Sequence, residues 1–208
     1  AQWRARGMLD AQHTAPVLSS VNQIFVVSGS CALTTADQIA VAEAKGFQIL
    51  NLDASTATDQ RRLEAEMAFI QAECLSSLSQ GHDVLVTTAR GPDDPMVARV
   101  AEAITTSRAT SSDVNARLGT ALGQLVSDIR RKTKMQRIAI SGGDTSGHAL
   151  TQLGADALSA VAPLAPGAPL CRVHTGADPA IDGLEVTLKG GQMGQPTFFL
   201  EAKGGPQT

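Results

Sequence analysis

Short apolar runs, each closed by small residues and followed by a helix-like pattern, constrain this chain more than any other feature. Ile24-Phe25-Val26-Val27 is unbroken and ends in Ser28-Gly29-Ser30. Val84-Leu85-Val86 is a second such run, and Arg137 to Ser141 is another, closed by Gly142-Gly143. A strand wet on one face alternates apolar and polar residues, whereas an unbroken β-branched run needs cover on both faces. Between the runs, Leu63, Met67, Ile70, Cys74 and Leu78 step by threes and fours. Val114, Leu118, Leu122, Leu125 and Ile129 do the same. Such stripes are the buried faces of amphipathic helices. Strand–helix alternation predicts an α/β fold: an open, mainly parallel sheet with helices on both faces.

Local signals set the expected boundaries. Thr35 and Gln38 have capping-box spacing, which predicts a helix from about Ala36 to a C-cap at Gly46. A strand is expected over Phe47 to Leu52, and the stripe ending at Leu78 should stop at Gly81. A Pro-rich turn over 91–95 precedes a helix over 96–104. Arg130, Arg131 and Lys132 suit the negative end of the following helix. Beyond residue 153 the chain is rich in Gly and Pro, with short strands near 158–164, 170–174 and 184–189. These read as antiparallel additions at one edge. Residues 1–20 read as a short helix through Trp3, Met8 and Leu9 followed by a linker, and 21–208 as one domain.

Composition narrows the function. Aromatic residues make up 3% of the chain and tyrosine is absent, which leaves few stacking platforms for single-stranded nucleic acid. The net charge of −3 offers no basic field for a polyanion. Cys31, Cys74 and Cys171 are odd in number and lack zinc-ligand spacing. They read as reduced thiols of a cytoplasmic protein. No apolar run approaches the length of a membrane helix.

Three glycine segments carry chemistry. Ser141-Gly142-Gly143-Asp144-Thr145-Ser146-Gly147 follows a strand and opens a helix. Its backbone N–H groups can cradle phosphate, Thr145 and Ser146 add hydroxyls, and Asp144 can hold Mg²⁺ directly or through water. No Gly-Lys-Ser/Thr follows, so it is not a Walker A loop; a plain capped turn fits the spacing equally well. Ser28-Gly29-Ser30 also follows a buried strand, and in a parallel sheet both loops lie at the carboxyl edge, where ligands bind. Lys189-Gly190-Gly191-Gln192-Met193-Gly194 has three glycines in five residues and a lysine able to meet phosphate. A glycine turn with an exposed lysine is the alternative there.

Taken together, these residues resemble a known family. Val27-Ser28-Gly29-Ser30-Cys31 with Thr35 and Gln38-Ile39, then Ile140 to Gly147, Leu164 to Pro169, Gly183, Lys189 to Gly194 and Phe198-Phe199 follow the order of the C-terminal nucleotide-binding domain of four-carbon acid sugar kinases. The resemblance runs from about residue 21 to residue 200. It implies ATP-dependent phosphorylation of tetronates such as threonate or erythronate. It implies ATP contacts at the Ser28-Gly29-Ser30 loop, through Ser30 and Ser28, at Gly142, Gly143, Asp144 and Thr145, and at Gly191; the residue types themselves give Lys189 the added charge and put Asp144 near Mg²⁺. The family's N-terminal domain, which supplies the sugar-acid site and the catalytic carboxylate, has no match in these residues. The chain alone is therefore expected to bind ATP without turning over. A homodimer is compatible with this reading. A non-catalytic nucleotide-binding module and a sugar-phosphate-binding enzyme are the rival readings.

Overall fold

The computed structural model describes residues 6–7 and 18–204. The helix expected over residues 1–12 falls, apart from Arg6 and Gly7, outside them. Seven strands form one sheet in the order β2-β3-β1-β4-β7-β6-β5. They are β1 (Phe25–Ser28), β2 (Gln48–Asn51), β3 (Val84–Thr87), β4 (Arg137–Ser141), β5 (Ala157–Ala165), β6 (Ala168–His174) and β7 (Glu185–Lys189). The first five in spatial order run parallel, and β6 and β5 add on antiparallel. The helices are α1 (Leu33–Ala44), α2 (Gln60–Ser79), α3 (Pro95–Thr105), α4 (Ser111–Thr133), α5 (Gly143–Gln152) and α6 (Phe198–Gly204). A 3-10 turn, Ala54–Thr58, precedes α2.

Side chains on a strand alternate between faces, and the core divides accordingly. Phe25, Val27, Val84, Val86, Ile138 and Ile140 pack on one side with α2, α4 and α5. Ile24, Val26, Leu85 and Ala139 pack on the other with α1 and α6. Every one of these residues is fully buried, which is why the runs contain no polar alternation. The edge strand β2 is half-exposed rather than covered on both faces. β7 departs from the expectation of an antiparallel tail: it lies beside β4 and parallel to it, because the chain returns across the sheet after the β5–β6 hairpin.

Two helix starts also differ from the sequence reading. α1 begins at Leu33, with Ala32 at its N-cap and no side-chain cap. Thr35 and Gln38 are buried and point away from the backbone they were expected to cap. α5 begins at Gly143, so the segment read as a loop is the first turn of a helix. By contrast, α4 has both its capping box, Thr110 with Asp113, and its three basic residues in the last turn.

The topology defines a place for a ligand. From β1 the chain moves out to β2 and back through β3 on one side, then crosses to β4 on the other. α1 leaves β1 on one face of the sheet and α5 leaves β4 on the opposite face. The two helices diverge and open a crevice above the carboxyl ends of β1 and β4, the switch point at which open α/β sheets bind ligands.

Candidate functional site

A cleft of about 610 Å³ fills that crevice. Its walls are residues 29–33, the 142–145 turn, Gly191-Gln192 and Pro92. Three strand ends hold it in line. Ser28 of β1 pairs with Ser141 of β4, and Ser141 pairs with Lys189 of β7. The ladder continues into the loops through Gly29 N–H to Ser141 O and Gly142 N–H to Lys189 O, both 2.9 Å. The three glycine segments, whose first residues lie 48 or more positions apart in sequence, therefore converge.

The turn at α5 presents unpaired backbone donors to the cleft. Gly142 has φ +117°, a conformation that β-carbon sterics deny to most residues. It caps the helix without any side-chain bond. Ser146 N–H is the first to close back, onto Gly142 O at 2.9 Å. The N–H groups of Gly143, Asp144 and Thr145 thus have no carbonyl one turn behind them in the helix. They carry the positive end of the helix dipole toward the cleft. Missing β-carbons keep the cradle open. A Cβ on Gly29 would strike Thr145 Oγ1, one on Gly142 would lie 3.0 Å from the same atom, and one on Gly191 would strike Ser30 Oγ. A Cβ on Gly143 would meet nothing within 4 Å.

The other sequence-derived candidates take different places. Ser30 lines the cleft, and its Oγ accepts from Ala32 N–H at 3.2 Å. Ser28 is buried below the cleft and accepts from Ser30 N–H at 3.4 Å, so it braces the loop. Asp144 is exposed on the first turn of α5 and lines the cleft. Thr145 is almost buried behind the cradle. Ser146 turns its hydroxyl back to Gly142 O at 2.7 Å instead of offering it to a ligand. Lys189 is not exposed at a turn: it is 1% accessible and lies beneath the glycine segment. Among the described residues no cluster of three carboxylate, His or Cys side chains is arranged to hold a metal.

Thr35 and Gln38, read as helix signals and as part of the family pattern but given no contact of their own, brace the third glycine segment. Thr35 Oγ1 donates to Gly191 O at 2.8 Å. Gln38 Nε2 donates to Met193 O at 2.9 Å and Gln195 O at 3.0 Å. Together they suspend the third glycine segment from α1. The spacing held the clue: Thr35 and Gln38 share the buried stripe of Ile39 and Ala42, and a polar residue on such a stripe needs an interior partner. A second hollow, about 520 Å³ between α2 and α4, lies on the flank of the sheet away from these loops.

The crevice, the uncapped helix start and the glycine cradle define a nucleotide-binding α/β domain. Residues 25–199 match the family model described as the nucleotide-binding C-terminal domain, and the chain belongs to that family. It is 40% identical over 199 residues to a 3-oxo-isoapionate kinase of Paraburkholderia graminis, covering 96% of this chain and 42% of that protein. It is 29% identical over 202 residues to a 3-oxo-tetronate kinase of Cupriavidus necator, again with 96% and 42% coverage. A D-threonate kinase of Salmonella typhimurium is 26% identical over 181 residues, 86% of this chain and 41% of that one. The chain thus spans less than half the length of the curated relatives it matches. Among solved structures, a Haemophilus influenzae protein superposes with a TM-score of 0.71 at 19% identity, over 96% of this chain and 43% of that one. A Bordetella bronchiseptica domain of unknown function, solved with bound citrate as a domain-swapped dimer, gives 0.65 at 19% identity, with 89% and 41% coverage. These two share the fold.

Proposed function

We propose that this chain is the ATP-binding half of a kinase that phosphorylates four-carbon sugar acids of the tetronate type. The observation that carries the proposal is the glycine-lined cleft at the switch point, with three free helix N–H groups on one wall. The activities of the kinase relatives support the choice of reaction. The N–H groups of Gly143, Asp144 and Thr145 hold the phosphates, Ser30 contacts the nucleotide from the opposite wall, and Gly191 lets it approach the backbone. Asp144 is the carboxylate placed to hold Mg²⁺. With no metal cage among the described residues, phosphate oxygens and water complete the shell, as Mg²⁺ prefers. Bound Mg²⁺ neutralises charge on the transferred phosphoryl group.

The walls of the cleft hold one carboxylate, Asp144, and it is committed to the metal. The acceptor's base and binding site are assigned to the part of the kinase that the longer relatives possess. Pairing of two copies belongs to the same proposal, supported by the dimer of the Bordetella relative. So does a cytoplasmic setting, supported by three free thiols.

Thermal unfolding with added ligands tests the reading. ATP with Mg²⁺ at about 100 times its Kd should stabilise the chain by about 2.7 kcal/mol. A sugar phosphate at equal concentration should give no shift. Incubated with ATP and threonate or erythronate, the chain alone should transfer no phosphate. Stabilisation by sugar phosphate and none by ATP would reverse the assignment, and turnover by the isolated chain would place the acceptor site within it.

A further inference from the structure

Two cationic side chains are sealed in this fold, and they are treated differently. Arg137 is wholly buried and donates to Glu185 Oε2 at 2.6 and 2.9 Å and to the carbonyls of Ser19, Ala202 and Lys203. Its charge is matched. Lys189 is equally inaccessible, but Nζ donates only to neutral atoms: Thr35 Oγ1 and Ser141 Oγ at 3.0 Å, Gly190 O at 3.1 Å and Gly191 O at 3.4 Å. The rings of Phe198 and Phe199 lie 5.9 Å away. No carboxylate among the described residues forms an ion pair with it. A buried charge without a counter-ion is costly, and this one sits directly under the cleft.

We infer that Lys189 is a positioning residue of the nucleotide site: its unmatched ammonium orders the hydroxyls and carbonyls that form the floor of the cleft and supplies positive charge beneath the phosphates. The inference rests on the nucleotide reading above. An ammonium only donates. Thr35 Oγ1 must therefore accept from it, and sends its own proton to Gly191 O at 2.8 Å. Ser30 Oγ accepts from Ala32 N–H and lies 3.3 Å from Thr35 Oγ1, which ties the Ser28-Gly29-Ser30 loop into the same network. If Nζ loses a proton it gains a lone pair, a hydroxyl can reverse toward it, and the hold on Gly191 loosens. The missing counter-charge is then the nucleotide itself.

Proton loss is within reach, because burial pushes the Lys189 ammonium down from 10.5 to about 8. Among the described residues no ionisable side chain of the neighbouring elements hydrogen-bonds or ion-pairs with Nζ. Glu43 on α1 pairs with Arg90, Arg137 on β4 with Glu185 on β7, and Lys203 on α6 with Asp83. Glu201 on α6 accepts from Thr197. Asp37, Cys31 and Asp144 are exposed, as are Arg172 and His174 on β6.

The test compares Lys189→Gln with the parent lysine protein, both in a Cys31→Ser background that removes the exposed thiol at the mouth of the cleft. Titration calorimetry with ATP·Mg²⁺ between pH 7 and 9 reads affinity; phosphate protons are already lost there. The parent's affinity should fall about tenfold across a group titrating near 8. Lys189→Gln should bind at least roughly tenfold more weakly at pH 7 and show no such slope. Without nucleotide the sign is opposite. The unfolded lysine binds its proton up to higher pH than the folded one, so the parent's stability relative to Lys189→Gln should rise from about pH 8 toward 10.5. Taking the difference removes Cys74, whose burial raises its thiol to about 12 and acts in the other direction in both proteins. Affinity that is flat with pH in the parent, which does not require Lys189→Gln to fold, overturns the inference while leaving the ATP site standing. So does a folded Lys189→Gln that binds like its parent. Absence of ATP binding at every pH overturns the nucleotide reading first and this one with it.

Discussion

The glycines of the α5 turn do different jobs, and substitution should separate them. Gly143 has no positive φ and would set an added β-carbon in open space. Gly143→Val should therefore fold with near-parental stability while its side chain occupies the phosphate cradle. Calorimetry should show ATP affinity reduced more than tenfold (about 1.4 kcal/mol or more). Gly142 carries the left-handed φ and approaches Thr145. Gly142→Ala should lower stability by roughly 1–3 kcal/mol as well as weaken binding. A Gly143→Val protein that folds and binds normally would reduce the cradle to a turn. The sequence showed that a glycine mattered here; it did not show which one bears the strain, because that depends on the angle at which β4 enters α5.

At the scale of elements, α1 is both a core helix and the support of a loop. Gln38 is fully buried and is a sole side-chain link from α1 to the carbonyls of Met193 and Gln195. Gln38→Ala leaves those carbonyls without their donor, at a cost of about 1–3 kcal/mol, and frees the segment that bears Gly191. Thr110→Ala removes the capping box of α4, far from the cleft, at a cost of about 1 kcal/mol. Denaturation should find both variants destabilised, but only Gln38→Ala should lose ATP affinity; equal binding by the two would remove α1 from the site. The existence of α1 and the stripe of α2 and α4 were legible from apolar spacing. The start of α1 was not. Thr35 and Gln38 satisfy the capping-box pattern locally, yet a side chain that can reach buried carbonyls across the fold does so, and the cap is left to Ala32.

The whole molecule is closed by its other buried cation. Arg137 joins β4 to β7 through Glu185, and to the Ser19 segment and the end of α6 through carbonyls. Glu185→Gln would leave that guanidinium buried without its anion, and about 3–5 kcal/mol of stability should be lost in denaturant unfolding; a loss below about 1 kcal/mol would mean the carbonyls suffice. The corresponding burden at Lys189, a fall from 10.5 to about 8, is on the order of 3 kcal/mol at neutral pH. The sequence by itself determined the class of fold, the order of its strands and helices as far as β4, and the three glycine segments. Those properties follow from periodicity and backbone conformation, which are local. Only the tertiary structure decided that β7 runs parallel beside β4, that Ser141 and Lys189 become neighbours, and that the lysine faces inward. Strand order and side-chain burial depend on contacts between residues far apart in the chain, and no local pattern encodes which of two faces a single lysine will take.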